Sequence, residues 1–314
     1  MSRQDFLKNA KKDKKDEFYT RYEDIEYTVQ KIVDDKNDIF KGKTILCPCD
    51  DPDKSNFVKY FKNNFNKFGI KKLICTCYAQ SVENFPLFGG SMCGKAIEIT
   101  EAGERKFDLN SDGDFRGREV SDIRDSVDFI ITNPPFSLFR DFFKWCLQAK
   151  TAMFLTVGHL NAVGHIDVFP HIQSGRVKIA DGYANEIGYF LSPYDSFLEK
   201  DDEIIRVNGI VWYTDIDIDV RKKPQLIHNS IHDREYDKYD FYDALYIESV
   251  KQIPFDYDGV MGVPATILKY NYFDDFEIVG AFNHGSDGWW DLAKPIVKGK
   301  ERFKRIAIKR KTAV

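Results

Sequence analysis

The sequence lacks most of the features that announce a function on their own. No apolar run reaches the ~18 residues of a membrane-spanning helix, and the first residues carry lysines where a secretion signal would be apolar. A cytoplasmic protein with no membrane partner is therefore expected. Six cysteines without a secretion signal fit that reducing setting. They do not fit zinc. Cys47-Pro48-Cys49 and Cys75-Thr76-Cys77 are each one residue short of a zinc knuckle, no matching histidines follow, and no metal is expected. His228 and His232 stand at helical spacing but lack the glutamate of a metalloprotease motif. Repeats and low-complexity linkers are missing too. So is a strongly basic balance: the formal net charge of −4 removes the global footprint of a nucleic-acid binder.

What the chain has is length, aromatic side chains and local basic runs. With 314 residues, 43% of them hydrophobic, it can bury a sizeable core, as one large domain or a core domain with an insertion. Twenty-six Phe and 16 Tyr exceed what an ordinary core needs. Most belong inside, which leaves some as stacking surfaces for bases. Lysine is dense from Lys8 to Lys15, and basic residues run from Lys298 through Arg305 to Lys311. A charge run is usually a solvated face, and DNA contact at either terminus is the alternative.

Along the chain, helical spacing runs from about Tyr22 to Asp38 and Gly42 breaks it. Lys43–Cys47 reads as a strand, and Asp53 is placed to N-cap a helix carrying Phe57, Tyr60, Phe61, Phe65 and Phe68 on one face. Lys72–Tyr78 is a second strand, a hairpin is expected between Ala96 and Phe107, and Ser111–Phe115 reads as a turn. Further strands are expected at Val127–Thr132, Ala152–Val157, Ile210–Tyr213 and Thr266–Leu268, with an amphipathic helix from Ser137 to Trp145. Strands alternating with helices predict a parallel α/β sheet with right-handed crossovers. From about Gly175 the segments shorten, and 215–264 reads as loop-rich.

The most informative residues are Asn133-Pro134-Pro135-Phe136, at the carboxyl end of one of these strands, where open α/β sheets bind ligands. The tetrapeptide suits a planar amine such as adenine N6. That nitrogen is a poor nucleophile because its lone pair is delocalised into the ring. Two acceptors taking its hydrogens, the Asn133 side-chain oxygen and the Pro134 carbonyl, would free the lone pair. Pro134 and Pro135 hold the acceptors rigid, which is electrostatic preorganisation. Phe136 offers a ring face to the base, a contact of roughly 1–3 kcal/mol. An adenine in a duplex must first be flipped out at a cost of a few kcal/mol. Trp212 or Tyr213 is the candidate for the base's other face, with a tryptophan packed under the sheet as the alternative. Side chains alternate along a strand, so only one of the two can face the site.

Together these blocks carry a resemblance: Lys14 through Thr20 with its Phe18-Tyr19-Thr20, Cys49-Asp50-Asp51-Pro52 with Ser55-Asn56-Phe57, Gly113-Asp114-Phe115, the tetrapeptide with Ser137-Leu138-Phe139, Val211–Thr214, Gly262-Val263-Pro264 and the basic C-terminus. Over nearly the whole chain the sequence resembles the EcoRI modification methylase family of adenine-N6 DNA methyltransferases. The resemblance implies a Rossmann-like, S-adenosylmethionine-dependent α/β sheet with inserted DNA-recognition elements. It implies residues 1–175 as an N-terminal helix plus the donor-binding and catalytic core. Residues 176–314 would complete the sheet and carry target recognition and a basic tail. Double-stranded DNA is the implied partner, met by a monomer. RNA bases or a protein glutamine are alternative substrates, and a non-catalytic DNA-binding relative is a third reading.

By the same resemblance Phe18, Tyr19 and Thr20 lie beside the donor, with the Thr20 hydroxyl at its carboxylate. Asp50 or Asp51 would meet its ammonium, and Asp114 would accept from its adenine amino group with Phe115 packing nearby. Helix capping by Asp50 or Asp51, and a simple turn at Asp112–Asp114, are the structural alternatives. Two departures stand out. Cys47-Pro48-Cys49 replaces the glycine-rich loop after the first strand, and the second strand ends at Cys77-Tyr78 instead of an acidic residue for the ribose, with Glu83 as a possible substitute.

Overall fold

A computed structural model of the protein describes residues 19–79, 93–180, 187–191, 204–218, 221–222, 227–283 and 291–311. Phe18, Glu83 and the lysines from Lys8 to Lys15 lie outside the described residues. The described residues cluster into two compact units, one drawn from Met1–His159 and Gly182–Ile218, the other from Leu160–Asp181 and Asp219–Val314.

The first unit opens with β1 (Tyr19–Thr20) and α1 (Tyr22–Asp35). Ile25, Val29, Ile32 and Val33 recur at helical spacing in α1 and are buried, which is why this stretch holds a helix. Then come β2 (Thr44–Pro48), α2 (Asn56–Asn63) and β3 (Lys72–Cys77). The cap of α2 is Ser55 and not Asp53: its hydroxyl accepts from the Phe57 and Val58 N–H groups at 3.0 and 3.5 Å. Asp53 is exposed and pairs with Lys106 instead. Phe65 and Phe68 are buried from the turns that follow α2, so the aromatic stripe outlasts the helix. The foreseen hairpin is β4 (Lys95–Thr100) paired with β5 (Gly103–Asp108).

The short helix α3 (Arg118–Arg124) precedes β6 (Phe129–Thr132). After Asn133-Pro134-Pro135 a 3-10 turn over Phe136–Leu138 leads into α4 (Phe139–Leu147), and then to β7 (Met153–His159). The chain next enters the second unit as α5 (Phe169–Gln173) and β8 (Lys178–Ala180). It returns as β9 (Ile187–Leu191), β10 (Ile204–Asn208) and β11 (Ile210–Thr214).

Within the first unit the main sheet runs β5-β4-β3-β2-β6-β7-β11. β3, β2, β6 and β7 are parallel, whereas β4 and β11 join antiparallel to their inner neighbours. The fold is therefore mixed α/β around a large central sheet. From β2 the chain moves outward to β3, and it comes back on the other side of β2 as β6. Strand order reverses between β2 and β6, and such a reversal opens a crevice at the carboxyl ends of the two strands. β1, β9 and β10 form a separate small sheet in which Thr20 pairs with Phe190.

The second unit holds β12 (Ala244–Tyr246), β13 (Val260–Val263), β14 (Phe276–Phe282), the pair β15 (Ile296–Val297) and β16 (Lys300–Glu301), and β17 (Arg305–Arg310). Its four-stranded sheet runs β12-β13-β17-β14. Tyr239 stacks on Phe282 at 3.9 Å between ring centroids in its core. The strand expected at Thr266–Leu268 is instead a 3-10 turn over Ala265–Lys269. Pro264, which has no N–H for a ladder, ends β13, and its carbonyl accepts from Ile267 N–H at 3.0 Å to close the turn. Among the described residues no helix is long and apolar enough to cross a membrane.

Candidate donor and amine site

The carboxyl ends of β2 and β6 are cross-linked by buried polar groups. Asp50, two residues beyond β2, is 4% exposed. Its Oδ1 accepts from the Ser55 hydroxyl at 2.6 Å and its Oδ2 from the Thr132 hydroxyl at 2.5 Å. The Thr132 hydroxyl also lies against the Pro48 carbonyl. Asp50 N–H donates to Thr76 O at 3.1 Å, and the Cys75 thiol donates to Asp50 O at 2.8 Å. One carboxyl thus ties the loop after β2 to the start of α2 and to the last residue of β6, directly before Asn133. Both of its oxygens already accept hydroxyl protons, which makes Asp50 a strut of the loop. Asp51 is half-buried and accepts from Asp53 N–H at 2.8 Å.

The loop has no glycine, yet its backbone takes a glycine's conformation at one point. Cys49 sits in the left-handed region, at φ +64°. A non-glycine residue there costs about 1–2 kcal/mol, an expense found chiefly where function requires the shape. Cys47 lies inside β2, fully buried, opposite Cys75 in the register. Burial, and then the Asp50 charge, push both thiols well above the ordinary cysteine range, so both are neutral.

Thr20 is brought to this loop. Its carbonyl accepts from Asn56 Nδ2 at 2.8 Å, which fixes β1 against the first residue of α2. The Thr20 hydroxyl is buried and has no hydrogen-bond partner among the described residues. Such a group ordinarily costs 1–3 kcal/mol, and a ligand oxygen would relieve it. Tyr19, its neighbour, pairs with Leu191 in the small sheet. The link between Asn56 and Thr20, 36 residues apart, is visible only in three dimensions.

Around the tetrapeptide, Pro134 and Pro135 are buried while Asn133 and Phe136 are partly exposed. The Pro135 carbonyl accepts from Leu138 N–H at 2.9 Å, committing it to the turn that starts α4. Phe139 then lies so close to β7 that a Cβ on Gly158 would stand 2.3 Å from its ring, so only glycine fits there. Phe136 meets the buried Phe190 edge to face at 5.6 Å. Thr20 and Phe190 are register partners, so β9 joins the Thr20 block to the tetrapeptide. Nothing in the short segment around Phe190 signalled this.

Trp212 and Tyr213 are placed differently from the expectation of a stacking ring. Both are 0% exposed in β11 and point to opposite sides of the sheet. Trp212 packs edge to face on Phe57 of α2 at 6.0 Å, and Tyr213 lies tilted against Phe139 of α4 at 5.0 Å with its hydroxyl donating to His159 O at 2.9 Å. Neither ring has a face open to a base, because the apolar strand carrying them is an inner layer of the core. Phe136 meets Phe190 instead.

Asp114 stands beside the end of β3. Gly113, at φ +80°, approaches so closely that a Cβ would lie 2.3 Å from Cys77 O. Ala79 N–H also donates to Asp112 O at 2.7 Å. The residues form the turn that the spacing suggested, and the turn is docked on the sheet. Arg116 grips the Asp114 carboxylate with Nε at 2.9 Å from Oδ1 and a terminal nitrogen at 2.6 Å from Oδ2. Those hydrogen bonds hold Asp114 below the usual carboxylate range, so it is an acceptor at neutral pH. Phe115 is buried against Phe142 and Trp145 of α4 at 5.2 and 5.7 Å. Among the described residues no group of three or more His, Cys, Asp or Glu is placed to hold a metal.

The family model of the adenine-specific methyltransferase EcoRI matches residues 6–312. The chain is 36% identical to the Type II methyltransferase M.EcoRI of Escherichia coli, with 97% of this chain and 96% of that protein covered. It is 30% identical to the Type II methyltransferase M.MpnI of Mycoplasma pneumoniae, covering 98% and 99%, and 30% identical to M.MgeORF184P of Mycoplasma genitalium, covering 96% and 97%. No solved structure matches the chain. A site built where strand order reverses, with the tetrapeptide on one strand and a braced loop on its neighbour, sits in a chain matched almost end to end: the protein belongs to the EcoRI family of adenine-specific methyltransferases.

Proposed function

We propose that the protein transfers a methyl group from S-adenosylmethionine to N6 of an adenine flipped out of a specific sequence in duplex DNA, in a restriction–modification or phage self-protection setting. The observation that carries this reading is the convergence of Thr20, the Asp50 loop and Asn133 on the adjoining ends of β2 and β6. The buried, unpartnered Thr20 hydroxyl fits a donor carboxylate, and Asp51 at the rim of the loop fits its ammonium. Ionised Asp114 fits an exocyclic amine as acceptor. Tyr19 and Phe18 belong beside the donor in this reading, with Cys47 in the strand beneath it. The sheet is read as a Rossmann-like methyltransferase sheet, and the second unit, with its basic C-terminal strand, as the target-recognition element.

The donor supplies an electrophilic methyl group on a sulfonium. Everything else falls to the chain. Asn133 Oδ1 and the Pro134 carbonyl accept hydrogen bonds from the two N6–H groups, which localises the nitrogen lone pair for attack on the methyl carbon; the sulfonium sulfur leaves as the neutral thioether, and the methylated nitrogen then gives up one proton to solvent. Pro134 and Pro135 keep these acceptors from turning away, so no reorganisation is needed as charge develops. Phe136, backed by Phe190, takes the face of the base.

Purified protein incubated with labelled S-adenosylmethionine and unmethylated genomic DNA should place N6-methyladenine at one short motif. Label found only in RNA or protein would sink the proposal. Asn133→Ala should abolish transfer, by more than 100-fold, while calorimetry shows donor affinity within about threefold of wild type, on the scale of a lost transition-state acceptor. Near-normal turnover in that variant would reject the amine-activation step.

A further inference from the structure

In the second unit the loop between β16 and β17 presents an aromatic ring to solvent from a backbone that is pinned on both sides. Phe303 is 82% exposed, the most exposed large apolar side chain among the described residues. The residue before it is fixed by Arg302 N–H donating to Pro295 O at 2.7 Å. The residue after it is fixed by Lys304 Nζ donating to Asn161 O at 2.6 Å. Arg305 holds the loop from beneath: its guanidinium donates to Lys304 O at 3.2 Å, to Tyr246 Oη at 3.0 Å and to Ile247 O at 3.3 Å. A single exposed apolar residue on a loose loop says little. One held outward by three anchored neighbours is a built feature, since the backbone has no freedom to fold the ring back.

The surroundings select the partner. Arg302, Lys304 and Arg305 flank the ring, with Lys300 exposed two residues upstream of Arg302 and Glu301 the one acid in the run. Arg302 and Arg305 both lie over the Tyr246 ring, at 5.7 and 5.0 Å from its centroid. Stacking orients the Arg302 guanidinium, yet its Nε is buried with no hydrogen-bond partner among the described residues. An oriented guanidinium whose Nε lacks an acceptor among the described residues, beside an exposed aromatic, matches an anionic ligand with stacked planar groups. Apolar wedges flanked by cations are how proteins open base steps in a duplex.

We propose that Arg302-Phe303-Lys304 is a DNA-contact element in which Phe303 enters the duplex as a wedge and Arg302 takes a neighbouring phosphate. The proposal rests on the duplex-DNA reading above and adds the element that helps to open the helix.

The test uses the full chain and a duplex oligonucleotide carrying its methylated motif, with 2-aminopurine at the target adenine. Wild type should raise the 2-aminopurine fluorescence on binding. Phe303→Ala should lose most of that rise and bind at least tenfold more weakly with an unchanged salt slope, whereas Phe303→Trp should keep both. Arg302→Gln should lower the slope of log K against log salt by about one. Phe303 is 82% exposed, so the thermal midpoint of Phe303→Ala should stay at the wild-type value. If Phe303→Ala binds, brightens the probe and methylates like wild type, the wedge is refuted and the methyltransferase reading stands. If wild type itself neither binds duplex DNA nor methylates it, both fall together.

Discussion

Thr132→Val removes one hydroxyl and almost nothing else, and the structure says where the loss is felt. Thr132 is fully buried at the last position of β6, and its γ-methyl and backbone are matched by valine. Its hydroxyl is the donor to Asp50 Oδ2 at 2.5 Å, while Ser55 keeps serving Oδ1. A buried carboxyl oxygen stripped of that donor costs about 1–3 kcal/mol, so a loss near 2 kcal/mol is expected. For a folding unit of this size that lowers the thermal midpoint by about 4–8 °C. The second consequence is functional. Thr132 is the residue before Asn133, and its hydroxyl links β6 to the Asp50 loop, so under the proposed function loosening it frees the amine-binding acceptors relative to the donor loop. Misplacement of this kind can cost up to about 100-fold in rate, and a fall of at least tenfold in single-turnover methylation is expected. Thr132→Ser is the control: it keeps the hydroxyl and loses one methyl, about 0.8 kcal/mol, and should retain the wild-type rate within twofold. If valine and serine variants behave alike in both melting and turnover, the cross-link is not what aligns the two strands.

Cys49 offers a test of the glycine-free loop. Cys49→Gly and Cys49→Ala lose the same sulfur, but only alanine keeps a Cβ in the left-handed backbone. The glycine variant should be the more stable by about 1 kcal/mol in urea titration, and an alanine variant equal or better would show that the φ of +64° carries no strain. The buried thiols give a pH dependence. Cys47, Cys75 and Cys146 have pKa values raised chiefly by burial, so the folded chain keeps protons that the unfolded chain gives up above about pH 8.5. Stability is complete below that pH and falls as pH rises through the window, by up to about 1.4 kcal/mol per unit for each thiol. At pH 9 a small alkylating reagent should label the partly exposed Cys49, Cys77 and Cys93 in the native protein and spare the other three. Rapid native labelling of Cys47 or Cys75, read by mass spectrometry, would contradict their burial.

Much of the first unit was legible because its elements announce themselves locally. Apolar runs with turn signals at each end became β2, β3, β6 and β7, of four to seven residues, in nearly the expected places. What failed did so for physical reasons. Asp53 and Ser55 are equally good caps by composition, and the choice went to Ser55 because its hydroxyl also donates to buried Asp50. Helix α3 has few apolar positions, its buried residues being Val120 and Arg124, so no periodicity marks it. Arg124 is inside because it donates to the Trp145 carbonyl at 3.0 Å, a partner no local pattern reveals. Trp212 and Tyr213 show the converse: an aromatic pair in an apolar strand carries the same letters whether it lines a site or fills a core.

The site divides along the same line. The place of Asn133-Pro134-Pro135-Phe136 could be read from four letters, since an apolar strand followed by two prolines and an aromatic sets it at the end of β6, and the amine chemistry proposed for it rests on that placement. The loop after β2, to which the proposed function assigns the donor, could not, because its shape comes from side chains distant in sequence. Glycine-rich loops obtain a tight turn and close ligand approach from backbone freedom alone. Here Cys49 makes the turn under strain, and Asp50, Ser55, Thr132 and Cys75 hold it by hydrogen bonds drawn from two strands and a helix start. Such a loop has no motif to search for, and it is also stiffer: its conformation is coupled to β6 through Thr132, which a glycine loop's need not be. If the proposed assignment holds, a donor-binding loop and an amine-binding strand that share one buried carboxyl cannot move independently, so substitutions at Asp50 should alter donor affinity and methyl-transfer rate together, whereas those at Asn133 should separate them.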